Sequence, residues 1–175
     1  MNTAVLAIIM LAATLAAPAA DHQPMQDNPL YQAWPAKEGI QVRFARTEHI
    51  SGGIPMSGGS MSRSTATYKL SKTTPAELTI AVGEDSFTIP AKIAPDAPGF
   101  PKLTGTADVK IGGKTYPCKV YHYTTKAAAE AGRNTQGLPA EVTVWVTADV
   151  PGGVVRRQIS LTIKATYEIE DTFIP

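Results

Sequence analysis

The stretch VVRRQISLTIKATYEIE, from Val154 to Glu170, decides the fold. Val155, Ile159, Leu161, Ile163, Ala165, Tyr167 and Ile169 alternate with Arg156, Gln158, Ser160, Thr162, Lys164, Thr166, Glu168 and Glu170. Apolar residues at a period of two are the mark of a half-buried strand, with one face on a core and the other in water. Only Arg157 breaks the apolar side. Read as one strand at ~3.3 Å per residue, the segment spans about 50 Å, which exceeds ordinary strand length and requires the sheet to bend or coil. The expectation is an all-β fold, a strongly curved antiparallel sheet or partial barrel with one short N-terminal helix.

The strand before it, near 140–148, carries Val142, Val144 and Val146 at the same period. With Pro151-Gly152 at the centre of the turn, Val144 falls opposite Ile159, Val142 opposite Leu161 and Val146 opposite Arg157, so the apolar residues share one face. A three-residue loop would set each apolar group against polar ones. Further upstream, strand patterns recur near 40–45, 61–70, 76–82, 86–93, 103–111 and 114–124. Gly83-Glu84-Asp85 and Gly112-Gly113 read as tight turns, 51–60 as a loop or wide turn, 94–102 as a proline-stiffened connection and 125–137 as an exposed excursion. Asn28-Pro29 reads as an N-cap followed by proline at the first helical position, opening a short helix through Leu30, Tyr31 and Trp34 that Pro35 stops.

Met1-Asn2-Thr3 leads into an apolar run over 4–17 that ends in Ala17-Pro18-Ala19, a small-residue pattern of the kind signal peptidases cleave. Residues 1–19 are therefore expected to be a signal peptide, 20–27 a flexible lead and 28–175 a single β-domain, secreted or periplasmic. The start carries no Lys or Arg, which keeps an uncleaved anchor open, but the run is shorter than the ~20 residues of a spanning helix. No integral membrane segment is expected after cleavage. Sixteen Lys and Arg nearly balance fifteen Asp and Glu, so no long-range field selects nucleic acid or an anionic surface. Cys118 is the single cysteine and rules out an internal disulfide.

Candidate chemistry is sparse. Cys118 and His122 could pair as thiol and base, but four residues along a strand set them about 13 Å apart. His22 and His49 share no metal-ligand spacing with His122, and neither a metal nor another cofactor is expected. Gly112-Gly113-Lys114-Thr115 imitates the end of a phosphate loop, yet Asp108 stands where a glycine is needed and a strand follows. Ser57 and Ser60 lie beside glycines without the spacing of a nucleophile elbow. Asp96, Asp108 and Asp149 fall in or near separate turns and suggest no carboxylate pair.

Two segments carry a resemblance: Asn28-Pro29-Leu30-Tyr31-Gln32-Ala33-Trp34, and the run from Trp145 through Pro151-Gly152-Gly153 to Val155. Together with Lys114, Tyr116 and Cys118, they are similar to an uncharacterised family of small exported bacterial β-domain proteins. That resemblance implies an exported β-domain behind a tryptophan helix, and no activity. More distantly, the expected curved sheet resembles the half-barrel of lipoprotein carriers of the LolA type, which hold acyl chains on a concave face. This is a likeness of fold.

Three functional readings stand. The first is a non-enzymatic cell-envelope binding module whose curved sheet faces an unknown apolar ligand or an envelope protein. The second is an assembly protein acting through strand pairing, and the third a hydrolase using Cys118 or a loop serine. Parity places Trp145 with Thr143 and Thr147, opposite Gln158 and near Arg156. Tyr121 and Tyr123 share a face with Lys119, and if the two strands are neighbours these aromatics gather on the otherwise polar side. Trp145, Tyr121, Tyr123 and Arg156 are thus the possible ligand or partner contacts, either a covered secondary core or an exposed aromatic patch.

Overall fold

The computed structural model describes residues 23–34, 37–51, 59–126, 137–162 and 166–175. The signal-peptide reading over 1–19, Pro35 as helix stop, most of the loop at 51–60 and the excursion over 127–136 lie outside them.

The described chain is almost entirely strand. It runs through β1 (Gln26–Asp27), α1 (Pro29–Gln32), β2 (Gln41–Ser51), β3 (Ser60–Thr73), β4 (Glu77–Val82), β5 (Asp85–Pro90) and β6 (Lys92–Ile93). It continues through β7 (Lys102–Ile111), β8 (Lys114–Lys126), β9 (Pro139–Val146), β10 (Val154–Thr162) and β11 (Thr166–Phe173). Nine strands form one antiparallel sheet in the order β5-β4-β3-β2-β11-β10-β9-β8-β7, and β1 pairs with β6 in a small second sheet. Two meanders, β2–β5 and β7–β11, are thus joined by the β2–β11 ladder. Strands β5 and β7 are the two edges of the sheet.

Residues 154–170 are not one strand. They form most of the hairpin β10–β11, with Ile159 opposite Ile169 and Leu161 opposite Tyr167. Three residues, 163–165, separate the strands, so odd-numbered positions pair with odd-numbered ones and alternation runs through the reversal unbroken. The pattern of one long strand and that of this hairpin are therefore identical. Among the described residues no single strand runs over 154–170, so the length of this segment gives no argument for curvature.

The turn before β10 also forms where expected, with Gly153 N–H donating to Val150 O at 3.0 Å and Gly152 at φ +76°. The connection extends further, however, because Thr147 N–H donates to Gly153 O at 2.8 Å. The ladder then shifts register between Val154 and Arg156, setting Val144 opposite Arg157 and Val142 opposite Ile159. Those two partners lie two residues from the expected ones, whereas Val146, expected opposite Arg157, faces Val154 on the other side of the register shift. A two-residue displacement keeps the faces, which is why parity alone did not detect it.

The short helix joins the core of both meanders. The Asn28 side chain caps it, Oδ1 accepting from Leu30 N–H at 3.0 Å, and Asn28 N–H donates to Ala91 O at 2.9 Å. Leu30 packs with Val142, Val144, Ile159, Leu161 and Ile169 of the C-terminal meander. Trp34, just beyond the helix, packs with Val42, Phe44, Tyr68, Leu70 and Ile80 of the N-terminal one. A third cluster of Tyr116, Cys118, Val150 and Val155 lies by the Pro-Gly-Gly turn. Within the expected lead, Gln26 and Asp27 pair with Ile93 and Lys92 and tether the helix to the segment after β5.

Candidate functional site

A cavity of about 290 Å³ lies between the helix and the sheet. Leu30 and Trp34 line it from the N-terminal segment, Phe87 and Ile89 from edge strand β5, and Tyr123 and Val144 from β8 and β9. Tyr68, Arg157 and Asp171 add a charged floor to these apolar walls.

Strand pairing builds that floor. Asp171 lies directly opposite Arg157 across β10–β11 and directly opposite Arg46 across β11–β2, and facing residues of neighbouring strands project to the same side. Arg46 Nε donates to Asp171 Oδ1 at 2.8 Å and its Nη2 to Oδ2 at 3.0 Å, a bidentate pair. Arg157 Nη2 and Tyr68 Oη each donate to Asp171 Oδ2 at 2.8 Å. Tyr68 Oη in turn accepts from Arg46 Nη2 at 2.7 Å and from Arg157 Nη2. Asp171 is 1% exposed and Arg157 8%, so the cluster stands in the protein interior.

Burial draws the Arg157 guanidinium down to about 10, with attraction to Asp171 opposing the shift and repulsion from Arg46 adding to it. It remains cationic at neutral pH. Burial lowers Arg46 too, but the hydrogen bond and attraction to Asp171 outweigh it, and the net shift is upward. Taking such charges out of water is expensive and is offset only by close pairing and hydrogen bonding.

The residues singled out in the sequence are divided by the sheet. Trp145 lies opposite Arg156 and Val120, and the Arg156 guanidinium sits 5.0 Å from the Trp145 ring centroid while donating to Glu170 at 2.8 Å. Tyr121 and Tyr123 lie opposite Val144 and Val142, on the other face, and pack against the core of the C-terminal meander. The three aromatics therefore do not gather. Trp145 is half-buried against the Tyr116–Cys118 cluster. Tyr123 reaches the cavity, whereas Tyr121 lines a separate open recess with Gln32, Cys118 and Asp149.

Cys118 is buried, its Sγ 3.3 Å from Tyr116 O. Burial, then the carboxylates of Asp108 and Asp149, push its thiol up, which disfavours the nucleophilic thiolate.

Arg46, Tyr68 and Asp171 carried no flag in the sequence. Arg157 did, as the one charge on an apolar strand face, and such a charge implies a buried counter-charge. Asp171 has the odd parity of Ile169 and Tyr167, one step past the end of the strand as first read. Extending the odd-numbered series by one position would have found it.

Compared with known proteins, the chain matches no family model and no curated protein.

Proposed function

We propose that this chain is a non-enzymatic binding protein of the cell envelope, exported by its apolar leader, that takes a small, largely apolar ligand into the cavity under the N-terminal helix. The observation that carries the reading is the cavity itself, whose volume of about 290 Å³ approaches the lower end of the range for small-molecule sites, ~300–1,000 Å³. Its composition has the same character, mostly hydrophobic and aromatic walls with a few polar groups fixed in place.

A curled sheet, the half-barrel anticipated above, is part of this proposal. Phe87 and Ile89 on β5 line the same cavity as Tyr123 on β8, although those strands stand seven ladder steps apart in the sheet order. In a flat sheet, at ~4.8 Å per step, they would lie about 34 Å from each other.

The test is saturable uptake of N-phenylnaphthylamine, a neutral apolar fluorophore, by the purified protein. Ile89→Trp places an indole in the cavity and is expected to abolish uptake while leaving the thermal transition cooperative. Uptake unchanged by this substitution would remove the cavity from the reading. Native mass spectrometry provides a second check through the mass of any co-purifying small molecule.

Assembly through strand pairing has one observation in its favour, the ten-residue edge strand β7, on which Leu103 is 59% exposed. That strand also carries Lys102 and Lys110 and a register shift between Leu103 and Gly105, devices that blunt an edge. Ligand binding is therefore the better supported function.

A further inference from the structure

We infer that the cavity selects an uncharged, bicyclic aromatic ligand, seated against the rings of Phe44, Tyr68 and Phe87. The inference rests on the cavity-binding reading above and adds the chemical class of the ligand.

The polar floor of the cavity is held by bonds among its own members. Asp171 Oδ1 accepts from Arg46 Nε, and Oδ2 accepts from Arg46 Nη2, Tyr68 Oη and Arg157 Nη2. Together these bonds fill the roughly four acceptor positions of a carboxylate, so a cationic head group finds no acceptor there. Arg157 bonds to Asp171 and to the Tyr68 hydroxyl and lies over the Tyr68 ring, 4.7 Å from its centroid. An anionic head group would have to draw this guanidinium away from the carboxylate and phenol that hold it. Either ion would also give up its own hydration on entering. An uncharged ligand disturbs none of these bonds.

The walls select for shape. Trp34, Phe44, Tyr68, Phe87 and Tyr123 all border the cavity. Phe44 and Tyr68 stand edge to face, with centroids 5.0 Å apart and planes at 85°, and Tyr68 and Phe87 do so at 6.3 Å and 78°. A ring bound beside them extends the same geometry, which is favourable beyond the area it buries. A flexible chain of equal carbon number makes no such contact and loses rotamer freedom on binding, a loss that a rigid ring avoids. Volume sets the size. An apolar cavity of about 150 Å³ holds one benzene ring, and the cavity here, at about 290 Å³, has room for a second, fused ring.

The experiment compares four ligands on the purified protein by titration calorimetry at neutral pH: 2-naphthol, 1-decanol, which is an uncharged chain of the same carbon number, 2-naphthoate and 2-naphthylmethylammonium. Naphthol is expected to bind about two- to tenfold tighter than decanol, the ratio that one aromatic pair supplies. It is expected to bind about tenfold or more tighter than either ion. Decanol binding as tightly as naphthol would overturn the aromatic assignment, and either ion binding as tightly would overturn the uncharged one. Both results leave the cavity reading intact. If none of the four binds, the inference fails, and uptake of N-phenylnaphthylamine then decides whether the cavity reading fails with it.

The seat of the ligand is tested by nuclear Overhauser effects between bound naphthol and the ring protons of Phe44 and Phe87. These contacts are expected, and their absence would overturn the assignment. Phe87 is half-buried on edge strand β5, so Phe87→Leu removes one ring while keeping an apolar side chain. It is expected to reduce the preference for naphthol over decanol while the thermal transition stays cooperative. An unchanged preference in the folded variant would show that this ring does not select the ligand and would overturn its place in the seat. If the variant does not fold, the Overhauser contacts decide.

Discussion

Asp171 draws side chains from three other strands onto one carboxylate. Its oxygens accept from Arg46 on β2, Tyr68 on β3 and Arg157 on β10. Asp171→Ala is expected to destabilise the fold by about 3–5 kcal/mol, since the Arg46 and Arg157 guanidiniums lose the carboxylate they share. Tyr68→Phe removes one hydroxyl and is expected to lower stability by about 1–3 kcal/mol. Urea unfolding with an unchanged slope measures both, and a Tyr68→Phe loss equal to that of Asp171→Ala would contradict this ranking. Tyr167 gives a prediction in pH. Burial, the hydrogen bond to Glu48 and the charge of Glu48 push its phenol up from 10.0 to about 12. The folded state therefore holds this proton more tightly than the unfolded one. Its contribution to stability is fully present below about pH 10 and is lost as pH rises through about 12. Tyr167→Phe should flatten the fall in stability over that window, as read from unfolding midpoints at successive alkaline pH values.

At the scale of elements, the Pro-Gly-Gly turn shows what the sequence made legible and what it concealed. Its position follows from the residues themselves, because the Pro151-Gly152 centre suits a turn whose second central residue has positive φ. Its second role, as a seat for the N-terminal helix segment, involves residues more than a hundred positions away and leaves no local mark. A Cβ at Gly153 would strike Ala33 Cβ and lie 2.7 Å from Ala33 O, with φ at +69°. Gly113 has a similar φ of +83° but faces open space. Gly113→Ala is thus expected to lose about 1–2 kcal/mol from backbone strain alone, and Gly153→Ala about 2–5 kcal/mol from strain and collision together. Chemical denaturation ranks the two, and equal losses would mean that the helix segment gives way at no cost. The β10–β11 hairpin marks the opposite limit. Its reversal preserves parity, so the periodic signal that identified the strands could not count them. For the same reason Arg157 was visible as an anomaly while its partner, across that hidden reversal, was not.

The molecule as a whole is two meanders and one seam. Within each meander every strand pairs with its sequence neighbour, and the alternating patterns and turns made that order readable except at the concealed β10–β11 reversal. The β2–β11 ladder joins residues 44–51 to residues 166–173, far apart in the chain, and pairing at that separation has no sequence signature. What secures the seam is a matter of energetics. Ile169 and Asp171 are 1% exposed, Arg46 bonds across the ladder to Asp171, and Leu30 and Trp34 bridge the cores of the two meanders from above. Buried apolar contact and a charge cluster at one line imply that the seam opens only when the whole fold opens. Native-state hydrogen exchange tests this, because local opening free energies range from near zero at frayed edges to the global value in the core. Amides of β2 and β11 that bond across the seam are expected to exchange only through global unfolding, with the same dependence on denaturant as the cooperative transition. Those on the outer edge of β7, next to exposed Leu103, should exchange fastest. Seam amides that exchange ahead of the β3–β4 and β8–β9 ladders would mean that the meanders are independent units held loosely together. The Arg46–Asp171–Arg157 cluster would then form and dissolve with the seam.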